Sequence, residues 1–254
     1  MDDLSLASFI VFALIFTLAG LVHGTLGLGF PVLATPLLAL MVDVRLAILI
    51  TLLPTATVNI GSIISGGNWG ESIGRFWPIA LYSVIGGIIG TRALVLLDPT
   101  PFKLLLAALV LLYLFVSQSK GFGMTWVKHH LRWSMPIFGV LAGIAGGTTN
   151  VMLPVMVIFA LELGLARTAM IQTFNMCFLL GKLTQMMVLT HAGLFTWSVA
   201  LSTAPLALVS GIALVIGMRL RSRIPAETYR HMIRILLGVI ATLLIAQFIA
   251  DLWI

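Results

Sequence analysis

Between residues 4 and 42 the chain carries no Asp, Glu, Lys or Arg, yet the middle of that run reads HGTLGLGFPVLATP, residues 23 to 36. A single helix of that length would measure about 58 Å at ~1.5 Å per residue, against a membrane core of ~30 Å. Gly24, Gly27 and Gly29 favour non-helical backbone, and Pro31 and Pro36 each remove a backbone donor. In lipid an unpaired peptide group costs several kcal/mol, so an interrupted helix at membrane depth survives only inside protein or along a wet cavity. The stretch therefore reads as a broken segment with a binding role.

That membrane setting follows from composition. Of 254 residues, 60% are hydrophobic and 9% charged, and the mean hydropathy is +1.16. Soluble domains carry about 25% charged residues, so this chain is an integral membrane protein. Asp2 and Asp3 stand where a signal peptide would be cationic, so no cleaved leader is expected. The one cysteine, Cys177, excludes an internal disulfide, and no Cys or His cluster has metal-ligand spacing. No metal or cofactor is expected. The net charge of +6 is better explained by loops that orient the protein in the membrane than by nucleic-acid binding.

Apolar segments run over 4–22, 30–42, 46–64, 76–97 and 103–117, then 134–145, 151–163, 168–190, 195–218 and 232–252. The fold expected is all-α, with two inverted repeats of five segments each and the first segments of each half broken or re-entrant. The repeats span 1–119 and 134–254, joined by a basic cytoplasmic linker over 120–133. PIALYSVIGGIIGTR (78–92) aligns without gaps to PLALVSGIALVIGMR (205–219), with eight identities in fifteen positions. Phe102 and Lys103 continue that register onto Tyr229 and Arg230, and Pro36 is set against Pro154, which places GTLGLGF opposite AGIAGGT. Duplicated halves are a recurrent plan for secondary transporters.

With the N-terminus outside, Arg75, Lys120, Lys128, Arg132, Arg167, Arg219, Arg221, Arg223, Arg230 and Arg234 fall on the cytoplasmic side. Only Arg45, Arg92 and Lys103 fall outside, which fits the positive-inside rule. Charge leaves open whether each half has five spans or three spans and a re-entrant hairpin. Trp69, Trp77, Trp126, Trp133 and Trp197 near segment ends suit an interfacial belt.

All eight carboxylates, Asp2, Asp3, Asp43, Glu71, Asp98, Glu162, Glu227 and Asp251, lie at segment ends or in loops. Lys182 lies near the middle of its segment, where a charge costs ~2.5–3.5 kcal/mol. Its stem is too short to snorkel past ~12 Å of helix. Backbone carbonyls or a bound anion remain as partners. Gln172, Asn175, Lys182 and Gln185 share one arc of their helix, and Thr51, Thr55, Asn59 and Ser62 share another on 46–64.

Breaks at HGTLGLGF and AGIAGGTTN would expose backbone N–H groups, and helices starting near Phe30 and Val151 would aim their positive ends at the midplane. Gly146 and Gly147 belong to the second break, and Thr25, Thr148, Thr149 and Asn150 would add neutral donors. The alternative is that the glycines only let helices approach closely. His23 reads as a hydrogen-bonded core residue, or as the proton carrier if transport is proton-coupled.

At these residues the chain resembles the TauE/SafE sulfite exporter family, also called TSUP permeases. The resemblance rests on Gly24, Gly27, Gly29, Pro31 and Pro36 and on the second copy GIAGGTTNVMLP at 143–154. It implies a multi-pass protein of the bacterial inner membrane that moves sulfite, sulfoacetate or related sulfur-containing anions. A permease for another solute and a non-transporting membrane subunit stand as alternatives. No acid/base pair, metal cluster or activated nucleophile marks an enzyme. The substrate-binding set expected is His23, Gly24, Thr25, Gly27, Gly29, Asn59, Gly146, Gly147, Thr148, Thr149, Asn150, Gln172, Asn175 and Lys182. The partners expected are a small anionic solute and the lipid bilayer, not nucleic acid, with a homodimer left open.

Overall fold

A computed structural model describes residues 6–67, 69–221 and 226–251. Asp2, Asp3 and Arg223, and the side chains of Glu227, Tyr229 and Arg230, lie outside what is described. The described chain is helical: α1 (Leu6–Leu26), α2 (Phe30–Ala39), α3 (Val44–Ser65), α4 (Ile73–Leu96), α5 (Thr100–Val116), α6 (Thr125–His129), α7 (Leu131–Thr149), α8 (Leu153–Leu163), α9 (Arg167–His191), α10 (Trp197–Leu220) and α11 (Ala226–Asp251). Among the described residues five stretches are long and apolar enough to cross a membrane: Ala7–Leu26, Val44–Ser65, Ile73–Leu96, Trp197–Leu220 and His231–Asp251. α9 has 25 residues but is less apolar, because Gln172, Asn175, Lys182 and Gln185 interrupt it; all four are buried in the protein.

The first apolar run is broken, as its length demands. α1 ends at Leu26, and Gly27 and Gly29 take φ of 85° and 111°, a backbone that other residues rarely adopt. α2 then doubles back along α1, with the Phe30 ring stacked on Phe16 at 5.7 Å between centroids. α7 and α8 form a matching hairpin, with Met152 against Gly146 and Phe159 packed on Phe138. The turn there is made by Asn150 at φ 67°.

This corrects the position of the second break. Gly143, Gly146 and Gly147 lie inside α7, and Gly24 lies inside α1. Gly24, Gly143 and Gly147 serve close helix crossing. A β-carbon on Gly147 would sit 2.7 Å from the Thr91 amide of α4, and one on Gly24 would overlap the Leu214 carbonyl of α10. α4 and α7 run side by side in the same direction, with Gly86 and Gly90 facing Gly143 and Gly147. α1 and α10 cross in the same way through Gly20, Gly24, Ala213 and Gly217.

Element contacts come in matched pairs: α1 with α10 and α7 with α4, α4 with α9 and α10 with α3, α5 with α8 and α11 with α2. Pro31 and Pro154 both enter helices at the second position. A register that sets them opposite also pairs Gly20 with Gly143, Gly24 with Gly147, Gly27 with Asn150 and Asn59 with Lys182. It accounts for more shared geometry than setting Pro36 against Pro154.

Outward faces are apolar. Leu81, Ile85 and Ile89 line one exposed stripe of α4, and Ile235, Val239 and Leu243 line one of α11. The five tryptophans near helix ends are all exposed. The linker is not plain loop: it holds α6, and Glu162 at the end of α8 accepts hydrogen bonds from the Phe122 and Met124 amides.

Candidate functional site

The interior polar groups gather where the two breaks meet α3 and α9. At the second break, the left-handed backbone of Asn150 turns its side chain into the protein. Its Nδ2 donates to Thr35 Oγ1 at 3.1 Å and Thr51 Oγ1 at 2.7 Å. Its Oδ1 accepts from the Lys182 ammonium, which also donates to Gln185 Oε1. Gln185 Nε2 in turn donates to the Gly146 and Gly147 carbonyls at 3.0 and 3.2 Å. Lys182 is 5% exposed, and both acceptors are uncharged amide oxygens. An ammonium has three donors, so one is left over for a further acceptor.

A cavity of about 10 Å³ lies beside that ammonium, lined by Lys182, Asn150, Gln185 and by Gly87, Gly147 and Gly181. That is room for about one water molecule. A larger solute requires the helices around it to move.

The first break is organised differently. The Phe30 amide donates to His23 Nδ1 at 3.3 Å, and His23 Nε2 lies 3.1 Å from Asn175 Oδ1. Because Nδ1 accepts, the ring hydrogen sits on Nε2 and is donated to Asn175. A second ring proton would set N–H against N–H at Phe30. His23 therefore links the start of α2 to α9. Asn175 Nδ2 donates to the Gly27 carbonyl at 3.0 Å, and Arg167 donates to the Leu26 carbonyl at 3.3 Å.

Several expected donors are taken. The Phe30 N–H goes to His23, the Val151 N–H goes to Thr149 Oγ1 at 3.2 Å, and Pro31 and Pro154 have none. The Phe30 and Val151 amides are therefore taken within the protein, while neither N-cap residue, Gly29 of α2 nor Met152 of α8, supplies a side-chain hydrogen bond to its helix. The hydroxyls of Thr25, Thr148 and Thr149 donate to carbonyls of the preceding turn. They do not act as spare donors.

The structure thus groups Lys182 with Asn150 and Gly146, and His23 with Gly27 and Asn175. Gly29 forms the N-cap of α2. Gln172 reaches the Ile63 and Gly67 carbonyls, both at 3.4 Å, at the far end of α3. Asn59 is fully buried, and neither of its side-chain polar atoms has a hydrogen-bond partner in the protein. Thr35 escaped the sequence reading although it stands inside the first motif. Its signal was a lone hydroxyl before Pro36 in an apolar helix. Among the described residues no three His, Cys, Asp or Glu side chains converge to hold a metal.

A family model for the sulfite exporter TauE/SafE matches residues 12–245. The chain belongs to that family. Among curated proteins and among solved structures nothing matches the chain. TauE/SafE membership together with the apolar helices makes this a multi-pass membrane protein of a transporter family. The polar chain from Thr35 through Asn150 and Lys182 to Gln185 falls within the TauE/SafE match and joins α2, α3 and the second break to α9.

Proposed function

We infer that the protein exports small sulfur-containing anions, sulfite, sulfoacetate or other organosulfonates, across the bacterial inner membrane by alternating access around Lys182. One observation carries this reading: the Lys182 ammonium is buried in the middle of α9 between neutral amide oxygens, and among the described residues no carboxylate pairs with it. A buried cation without a counter-charge is costly, and an arriving oxyanion relieves that cost. Sulfite and sulfonate oxygens accept several hydrogen bonds at once, which suits the spare ammonium donor and the nearby amides.

The residues divide the work. Lys182 balances the substrate's charge. Asn150 and Gln185 hold the ammonium while the site is empty and turn towards the substrate when it binds. Gly146 and Gly147 carry carbonyls that anchor Gln185, and Gly27, Gly29 and His23 fix the first break.

Alternating access rests on two inverted halves, 1–119 and 134–254, with 120–133 on the cytoplasmic side. The matched element contacts support the duplication. α3 and α9 are counterparts, and they run antiparallel: Gln172 meets Ile63 at one end, while Lys182 is joined to Thr51 through Asn150 at the other. A two-fold axis that relates antiparallel counterparts lies across the helices, as inversion requires. A cavity of about 410 Å³ near Leu26 and Leu28 includes Arg167 and Arg234, a basic vestibule that would concentrate anions at the cytoplasmic side.

The test is flux into proteoliposomes across ligand classes. Sulfite and sulfoacetate are expected to cross, while alkali cations and neutral solutes of similar size are not. Transport of a cation or a neutral solute with no anion flux would contradict the reading.

A further inference from the structure

Among the described residues, six buried side-chain atoms have no hydrogen-bond partner in the protein: Thr55 Oγ1, Asn59 Nδ2 and Oδ1, Thr91 Oγ1, Gln172 Oε1 and Thr173 Oγ1. Buried polar groups are nearly always paired, so each of these costs the folded protein stability. They are not scattered. All but Thr91 lie on α3 and α9, the antiparallel pair that also carries Lys182 and Thr51.

Thr55 and Asn59 are one turn apart on one face of α3, and Ile63 follows one turn later. The Ile63 and Gly67 carbonyls accept from Gln172, which places the Gln172 amide beyond Asn59 at the C-terminal end of α3. Gly66 lets the two helices approach there, since a β-carbon would coincide with the Gln172 amide. In the register that matches the two breaks, Asn59 stands where Lys182 stands in the other half. One half offers an ammonium and the other an amide.

We propose that Asn59, Thr55 and Gln172 form a second, uncharged station for a singly charged oxyanion that still bears an acidic hydrogen. The donors and acceptors are mixed. Asn59 Nδ2 and the Thr55 hydroxyl donate to the anion's oxygens, while Asn59 Oδ1 and Gln172 Oε1 accept its hydrogen. A fully ionised dianion has only acceptors and would face those two oxygens with like charge. The eight residues from Thr51 to Asn59 set the stations about 12 Å apart along the helix, so a small anion occupies them in turn. The proposal rests on the transport reading above and gives it a preference, hydrogen sulfite and its kind over anions that carry no acidic hydrogen.

The test compares hydrogen sulfite with methanesulfonate, which has the same charge and a methyl group in place of the acidic hydrogen. Initial rates are measured in proteoliposomes at a mildly acidic pH for the wild type, Asn59→Leu and Thr55→Val. The wild type is expected to favour hydrogen sulfite by about tenfold. Asn59→Leu is expected to bring the ratio close to one, and Thr55→Val, a change of nearly equal shape, to lower it without lowering the melting temperature. Equal wild-type rates, or an unchanged ratio in either folded variant, would overturn the second station while leaving anion transport intact. A wild type that moves neither anion would overturn the transport reading itself.

Discussion

Lys182, Asn150 and His23 are each recognisable from sequence as odd residues in an apolar setting, but their partners are not. His23 meets Asn175 across 152 positions, and Asn150 meets Thr35 across 115. No local pattern encodes such pairs. His23→Leu is expected to leave the Phe30 amide and Asn175 Oδ1 unpaired and to destabilise the protein by about 1–3 kcal/mol, read as a lower melting temperature. Outside the membrane, Asp98 gives a pH test. The Thr100 hydroxyl and its amide, which donates at 2.7 Å, hold the Asp98 carboxyl below its ordinary 3.8, with Arg45 adding to the effect. Because the folded value is depressed, the stabilisation is complete above 3.8 and is lost as pH falls through the folded value. Asp98→Asn is therefore expected to lower the melting temperature at pH 7, with the gap to wild type closing in strong acid.

Among the elements, the glycines carry two different jobs that look alike in the sequence. A glycine at a break and a glycine at a helix crossing both sit in apolar sequence at short spacings. Only φ and neighbouring backbone separate them, as for Gly29 at 111° and Gly147 pressed against α4. The length of the first run was enough to require an interruption, and the structure supplies it at Gly27 to Gly29. The second run gave no such length signal, so its break was read several residues early. Gly147→Ala is expected to force α4 and α7 apart and cost about 1–3 kcal/mol. Gly70→Ala, where a β-carbon meets nothing within 4 Å, is expected to change stability by less than about 0.5 kcal/mol. Thermal melts of the two variants check the contrast.

For the whole molecule, hydropathy and charge carried most of the information. They gave the helical class, the segment order and the asymmetry of basic residues, because a bilayer acts on every residue in the same way. Leu97→Cys is expected to react with an impermeant maleimide from outside the cell and Lys120→Cys only from the cytoplasm, with buried Cys177 unreactive in both. Labelling of both from one side would refute the topology. The arrangement of polar groups between α3 and α9 was not readable at this scale, since it depends on how the two halves pack. The most direct measurement is sulfite flux in proteoliposomes of Lys182→Met beside the wild type, with equal folding shown by melting and elution. Flux is expected to fall at least about tenfold, the equivalent of about 1.4 kcal/mol of lost stabilisation. Undiminished flux in the folded variant would contradict a site built around that ammonium.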